Sequence, residues 1–108
     1  MAHYRFLVES RPRPGFEEKY HHWYDGRHSE DLLDLPGAQT VQRFTTVRAQ
    51  DGLQSYFMIV DYETDDLNGL LATIQARSGT PDMPSSDAID RDSVRVTVLE
   101  ARWPPRSR

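Results

Sequence analysis

The order in which hydrophobic periodicity changes along this 108-residue chain restricts its fold more than any other feature. Alternation with a period of two predicts β-strands, and apolar spacings of three and four predict amphipathic helices. Strand patterns occupy residues 4–9, 38–47, 55–62 and 93–100, and helical patterns occupy residues 16–35 and 65–76. The predicted order is therefore β-α-β-β-α-β, the split arrangement of ferredoxin-like α+β domains.

Proline and glycine mark several boundaries between these elements. Pro36 and Gly37 end the first predicted helix, and Gly26 is expected to be a weak point or a bend within it. Residues 49–52 end in an Asp-Gly pair, which is favourable turn chemistry. The second and third predicted strands are therefore expected to form an antiparallel hairpin.

Two helices can cover only one face of a four-stranded antiparallel sheet. The other face is expected to keep apolar residues, namely Ile59 or Met58 and Val96 or Leu99. A second copy packed sheet against sheet is the simplest cover, so the pattern predicts a homodimer. A single domain is expected over residues 1–103, followed by a flexible C-terminal tail over residues 104–108.

The second half of the chain contains one long polar segment. Asp65 or Asp66 is expected to cap the second helix. Residues 78–92 are rich in Ser, Pro and Asp and predict a loop, with one helical turn around residues 86–89. Loops of this length are often lids or binding loops, and this one is a candidate lid.

Composition excludes several classes of protein. The chain has no cysteine, which rules out a disulfide scaffold, a thiolate zinc site and a cysteine nucleophile. The net charge of −4 argues against nucleic acid as a partner, and no apolar run is long enough to cross a membrane. The N-terminus also lacks the apolar core of a signal peptide. These features favour a small, soluble, cytoplasmic domain.

One stretch of sequence resembles a known superfamily. It reads FEEKYHHWYDGRH over residues 16–28, continues to a Leu-Pro-Gly at residues 35–37, and precedes a Gln-Arg-Phe strand. Together with the loop at residues 83–90, it is similar to the dimeric α/β-barrel superfamily and most similar to its EthD-like branch. The resemblance covers most of the chain and implies a ferredoxin-like subunit that dimerises around a barrel-type cavity. That superfamily includes monooxygenases, cyclases, isomerases, lyases and haem-degrading enzymes, so the resemblance selects no single function.

His28 is the first candidate catalytic residue. The resemblance implies that it lies at the end of the first helix, near the mouth of the cavity. A neutral imidazole in an apolar cavity suits a general base or acid near neutral pH. The alternative is structural, with His28 bonded to a backbone carbonyl at the helix bend.

Asp25 and Arg43 are the other two candidate catalytic residues. Asp25 lies three residues before His28 and would either orient its imidazole or form a surface ion pair with Arg27 or Arg43. Arg43 lies in the middle of a strand, where an unpaired charge is costly. It is expected either to stabilise an oxyanion in the cavity or to pair with an acid such as Asp61.

Aromatic and histidine residues offer further interpretations. Packing is the simplest role for the aromatic residues, but they would also suit a flat ligand, and the candidate substrate-binding residues are Tyr20, Trp23, Tyr24, Tyr56 and Tyr62. His21, Asp25 and His28 have the spacing of a metal site on one helix, yet a solvated polar stripe explains them better, so no metal is expected.

These residues support three functional hypotheses. The favoured one is a cofactor-independent lyase, isomerase or cyclase, in which His28 moves a proton on a small carbonyl, phenolic or lactone compound of secondary or aromatic metabolism. The second is a non-catalytic dimer that binds a small molecule or assists another enzyme. The third is a monooxygenase, either cofactor-free or binding haem through one of the histidines at positions 21, 22 and 28.

Overall fold

The computed structural model describes residues 1–48 and 51–108, and its elements follow the predicted order. The strands are β1 (Ala2–Pro12), β2 (Ala38–Thr45), β3 (Tyr56–Thr64) and β4 (Ile89–Glu100). The helices are α1 (Glu17–Trp23), a π-helical segment (Tyr24–His28), α2 (Ser29–Leu33) and α3 (Leu67–Arg77). The chain is therefore a ferredoxin-like α+β subunit, as its periodicity predicts.

The four strands form one antiparallel sheet in the order β2-β3-β1-β4. Strands β2 and β3 pair directly, which confirms the predicted hairpin, while positions 49 and 50 of its predicted turn lie outside the described residues. β2 and β4 are the two edge strands. In this order β2 is at one edge of the sheet, where the side chain of its residue Arg43 contacts His21 of α1.

Strands β1 and β4 are longer than their sequence patterns suggest. β1 continues to Pro12, and β4 begins at Ile89, because the two residues pair at the end of the ladder. The backbone N–H of Arg13 also donates to the carbonyl of Ala88 at 2.8 Å. The helical turn predicted around residues 86–89 is therefore wrong, since pairing with β1 draws its end into the sheet.

The first predicted helix is one continuous helical segment with a π-turn in its middle. Gly26 lies inside that turn, so the weak point expected there is confirmed as a change of helical pitch. A π-turn brings residues five apart close together and rotates everything after it by about 100° relative to an uninterrupted α-helix. This rotation decides the neighbours of His28.

The hydrophobic core lies between the helices and one face of the sheet. Register puts Phe6 opposite Val60, with Met58 and Tyr62 on the same face of β3, and all four side chains are buried. Leu70 of α3 packs onto them. Asp66 caps α3, since its carboxylate accepts from the Gly69 backbone N–H at 2.9 Å, so of the two predicted caps Asp66 is the one used.

The opposite face of the sheet is not covered by any described helix, and we call it the open face. Leu7, Ile59, Phe44 and Leu99 lie on it, and the last two are 42% and 45% exposed. Of the residues predicted for this face, Ile59 rather than Met58 and Leu99 rather than Val96 lie on it. Among the described residues, no helix combines the length and apolar character needed to cross a membrane.

Candidate functional site

Arg43 is the centre of a polar cluster under the first helix. It lies on the helix-facing side of β2, where its Nη1 donates to Asp25 Oδ1 at 2.8 Å and to His21 Nδ1 at 3.1 Å. Its side chain is only 17% exposed. The predicted pairing of Arg43 with Asp61 is wrong, because Asp61 lies on the open face and pairs with Arg5 at 2.7 Å.

Three tyrosine rings surround the Arg43 guanidinium. Its central carbon lies 4.7 Å from the ring centre of Tyr24, 5.6 Å from that of Tyr20 and 5.7 Å from that of Tyr56. Such contacts stabilise a cation that has lost much of its water. The structure thus brings five predicted residues together, and we call them the Arg43 cluster: Tyr20, Tyr24, Asp25, Arg43 and Tyr56.

Ser10 is a buried member of this site that sequence reasoning missed. Its hydroxyl is hydrogen-bonded to the Tyr20 hydroxyl at 2.6 Å and to the Tyr24 hydroxyl at 3.0 Å. Burial raises the pKa of Tyr20 to about 12 and also raises the pKa of Tyr24, so both phenols stay neutral at physiological pH. The sequence contained one signal for this role, because Ser10 lies on the apolar face of β1, where a serine needs a polar partner.

The Ser10→Ala variant is expected to lower the free energy of unfolding by about 1–3 kcal/mol, because it removes the hydrogen-bond partner of two buried phenols. Urea unfolding would measure the difference. Ser85→Ala is the matched control, since Ser85 is exposed, and it is expected to change stability by less than about 0.5 kcal/mol. Equal stability of the two variants would contradict the role assigned to Ser10.

His28 occupies a separate aromatic environment on the π-helical segment. Its ring stacks on Trp23 at 4.3 Å between centres with an angle of 15°, and Tyr24 meets it edge-on at 5.6 Å. The stacked pair is five residues apart, which is the spacing that a π-turn brings together. The arrangement therefore depends on the change of helical pitch around Gly26.

The surroundings of the His28 Nδ1 nitrogen distinguish the predicted catalytic role from the predicted structural role. Nδ1 is buried and has no hydrogen-bond partner among the described residues, so it does not hold a backbone carbonyl there. Nor does Asp25 orient this imidazole, because its carboxylate is bonded to Arg43. Burial lowers the pKa of His28 to about 4, against an opposing effect of Asp31. His28 is therefore a neutral imidazole whose buried Nδ1 has no partner among the described residues.

This depressed pKa predicts an acid-sensitive fold. Between pH 6.5 and about 4 the unfolded chain binds a proton at His28 that the folded chain excludes, so stability falls as the pH falls. Above pH 6.5, His28 does not reduce the free energy of unfolding. Between pH 6.5 and about 4, the free energy of unfolding falls by about 1.4 kcal/mol for each pH unit. Urea unfolding at several pH values would measure the slope, and the slope should be shallower in His28→Gln.

An open cavity of about 640 Å³ lies against Trp23, between the helical segment and the loop before β4. Lys19, Gly26, Arg27 and Ser85 are among the residues that line it. Trp23 lines this cavity and also stacks on His28, which itself is not among the lining residues.

The loop after α3 is held to the helical segment by three side chains spaced four residues apart. Lys19 pairs with Asp87 at 2.6 Å, the Trp23 indole N–H donates to the Pro84 carbonyl at 3.2 Å, and Arg27 donates to the Pro81 carbonyl at 2.9 Å. The loop predicted as a lid thus lies along the helix beside the cavity. Its role as a lid stays a prediction.

Tyr62 lies apart from the Arg43 cluster. It is fully buried in the core, where its ring meets Phe6 edge-on at 4.8 Å, and its hydroxyl has no partner among the described residues. Desolvation raises the pKa of this phenol above its usual value. In the described part of the chain, no three His, Asp or Glu side chains are grouped closely enough to hold a metal ion.

Comparisons by sequence find no relatives, since no protein-family description matches the chain and no curated protein matches it significantly. Comparison of structures does find neighbours. A variant of MhuD with two manganese protoporphyrin IX molecules per active site has a TM-score of 0.61 at 12% identity, and the match covers 96% of this chain and 99% of that one.

Two further neighbours come from bacteria. An ethyl tert-butyl ether D (EthD) family protein from Bacillus halodurans has a TM-score of 0.57 at 14% identity, over 94% of this chain and 99% of that one. NE2512 from Nitrosomonas europaea, a protein of unknown function, has a TM-score of 0.58 at 9% identity, over 100% and 97% of the two chains.

These neighbours define the class of fold. They belong to the dimeric α/β-barrel superfamily, with the EthD-like branch among them, and the matches span nearly the whole chain. The resemblance inferred from residues 16–37 is thereby confirmed at the level of the fold. Identities of this size carry no information about the reaction or the ligand, so function has to be argued from the site itself.

Proposed function

We propose that this protein is a cofactor-independent enzyme that moves a proton on a small, largely apolar carbonyl, phenolic or lactone compound. Lyase, isomerase and cyclase reactions all contain such a step. The observation that carries the proposal is His28, a buried imidazole that stays neutral at physiological pH and has an unpartnered Nδ1. That nitrogen makes no hydrogen bond to a described residue and is therefore available to accept one from a ligand or to take a proton.

The proposed step is a proton transfer that leaves the enzyme unchanged. His28 takes a proton from the carbon next to the substrate carbonyl, and the electron pair of the broken C–H bond moves onto the oxygen to form an enolate. The imidazolium then returns the proton to a carbon or to the oxygen. A neutral His28 is a weak base by itself, but the enolate formed beside it stabilises the imidazolium.

Neighbouring side chains support a flat ligand. Trp23 and Tyr24 flank His28 with aromatic surfaces, and Trp23 also lines the open cavity beside it. Arg43 lies against the same Tyr24 ring and would stabilise the enolate oxygen, with Asp25 holding the guanidinium in place. Tyr20 and Tyr56 would complete the wall, and Tyr62 takes no part because it is enclosed by the core.

We also propose that the protein is a homodimer of the dimeric α/β-barrel type, joined through the open face. Phe44 and Leu99 are large apolar side chains that are nearly half exposed there, and Ile59 lies between them on the same face. A second copy would remove this surface from water.

The contacts of His28 and His21 do not favour haem. The His28 ring lies flat on Trp23 and its Nδ1 is buried, which closes that nitrogen to a porphyrin iron. Nδ1 of His21 accepts from Arg43, and burial together with the Arg43 cation lowers the pKa of the ring, which weakens its other nitrogen as a ligand for a cationic iron. We therefore derive no step through haem, although the MhuD neighbour binds manganese protoporphyrin IX.

Hydrogen–deuterium exchange on carbon tests the proposed reaction without knowledge of the substrate. The purified protein is incubated in D₂O with a panel of 1,3-diketones, aryl ketones and unsaturated lactones, and mass spectrometry records deuterium in each compound. We expect at least one compound to exchange about 100-fold faster than with an equal concentration of free imidazole. A protein that binds panel members and exchanges none would instead be the non-catalytic binding dimer.

A further inference from the structure

The π-turn changes which carbonyl the backbone N–H of Ser29 reaches. This N–H donates to the carbonyl of Tyr24, five residues back. In an uninterrupted α-helix it would donate to the carbonyl of Asp25, four residues back. The π-turn therefore deprives the Asp25 carbonyl of the backbone donor that an α-helix would give it.

The side chain of Ser29 takes the place of that backbone donor. Its hydroxyl donates to the Asp25 carbonyl at 3.0 Å. Backbone carbonyls are strong acceptors, and one that loses its helical partner needs another. One serine side chain thus satisfies the carbonyl that the π-turn leaves without its α-helical partner.

Ser78, at the end of α3, shows what the same side-chain bond does in an ordinary helix. Its hydroxyl donates to the Ile74 carbonyl at 2.7 Å, again four residues back. Its backbone N–H donates to that carbonyl as well, at 3.0 Å. The Ser78 hydroxyl is therefore a second donor to a carbonyl that already has one, whereas the Ser29 hydroxyl replaces a backbone donor.

The place of the π-turn in the helix determines the neighbours of His28. The imidazole stacks on Trp23, five residues before it, with ring centres 4.3 Å apart. In an α-helix, residues five apart are separated by about 140° around the helix axis, so the two rings would not meet. Trp23 is held separately, because its indole N–H donates to the Pro84 carbonyl at 3.2 Å. A shift of the π-turn along the helix would therefore move His28 away from Trp23.

We propose that Ser29 is a positioning residue for His28, and that its hydroxyl keeps the π-turn at the place in the helix where the imidazole stacks on Trp23. Ser29 acts through the backbone, because its hydroxyl is bonded to a main-chain carbonyl. The effect on the imidazole stands on the geometry of the helix, whereas the effect on a reaction rests on the proposed proton transfer. Sequence reasoning missed this serine, because the need for its hydroxyl arises only from the π-turn.

Nuclear magnetic resonance of the His28 imidazole tests this role without a substrate. In Ser29→Ala the helix should remain, because alanine has the highest helix propensity, but the stack on Trp23 should open. The ring-current shift of the His28 C–H protons should then shrink. The pKa of His28 should rise from about 4 towards 6.5, by about one unit or more, as water reaches the ring. Ser29→Thr keeps a hydroxyl that can donate to the carbonyl four residues back, and it should restore both values.

Ser78→Ala is the matched control. It removes the same kind of hydrogen bond from α3 and should leave the proton shifts and the pKa of His28 as they are in the unmodified protein. Circular dichroism would verify that both alanine variants are folded. Unchanged His28 values in Ser29→Ala, or equal changes in Ser78→Ala, would overturn the proposal.

The exchange experiment separates this proposal from the proposed reaction. On a compound that the unmodified protein exchanges, Ser29→Ala should be about 10- to 100-fold slower, and Ser29→Thr should be close to the original rate. An unchanged rate in Ser29→Ala, although the stack has opened, would overturn the effect on the reaction. If the unmodified protein exchanges no compound, the proposed reaction fails, and the resonance measurements still decide whether Ser29 positions His28.

Discussion

Replacing His28 by glutamine is expected to slow deuterium exchange on the best compound of the carbonyl panel by about 100- to 10,000-fold, the usual contribution of a positioned general base. Glutamine is similar in size and can still form hydrogen bonds, but it has no nitrogen that accepts a proton near neutral pH. The rate of deuterium incorporation, measured by mass spectrometry on both proteins at the same concentration, gives the ratio.

A matched control separates chemistry from folding. His3→Gln also replaces a histidine, on the open-face side of β1 beside Asp61 and Glu63, and it should exchange at the rate of the unmodified protein. Because His28 is neutral and unpartnered, His28→Gln should fold, and circular dichroism would verify this. A folded His28→Gln protein that exchanges at the original rate would show that another group moves the proton.

Replacing Phe44 by glutamate is expected to convert the proposed dimer into a monomer. Phe44 is 42% exposed on the open face, and a carboxylate there would have to be buried in the proposed interface. Burying an unpaired charge costs several kcal/mol, so the dissociation constant should rise by at least about 100-fold. Light scattering during gel filtration should report twice the 12.5 kDa chain mass for the unmodified protein and one chain mass for the variant.

Val47→Glu introduces the same charge at a side chain that is 100% exposed. This control is expected to remain dimeric, because its carboxylate keeps contact with water. A monomeric unmodified protein would overturn the proposal of a homodimer. A dimer that survives Phe44→Glu would mean that the interface lies elsewhere, with the exposed side of β4 around Val96 as the next surface to change.

Local patterns predicted the strands and helices well, because the periodicity of each depends on residues that are neighbours in sequence. The alternation around Phe6 and the apolar spacing around Leu70 correctly placed both residues in the core. Predictions failed where distant pairing decided the outcome. Residues 86–89 have a helix-like pattern, yet Ile89 belongs to the sheet because it pairs with Pro12 of β1.

Only part of the candidate site was predictable for the same reason. Sequence patterns indicated Arg43, Asp25 and the tyrosines one by one, but they left open whether Arg43 would pair with Asp25, pair with Asp61 or face the cavity. The two faces of a strand are related by a one-residue shift, so the partner of a mid-strand arginine depends on the register with β3. That register puts Arg43 on the helix side beside Asp25, and puts Asp61 on the open face.

The sequence by itself determined the ferredoxin-like order of elements, the apolar faces, and the aromatic and histidine content of the first helix, because these depend on local spacing. Only the tertiary structure decided that Ser10 joins two tyrosines, that Arg43 contacts both His21 and Asp25, and that His28 stacks on Trp23. Those contacts depend on strand register and on the π-turn at Gly26, which bring together residues that no local pattern relates.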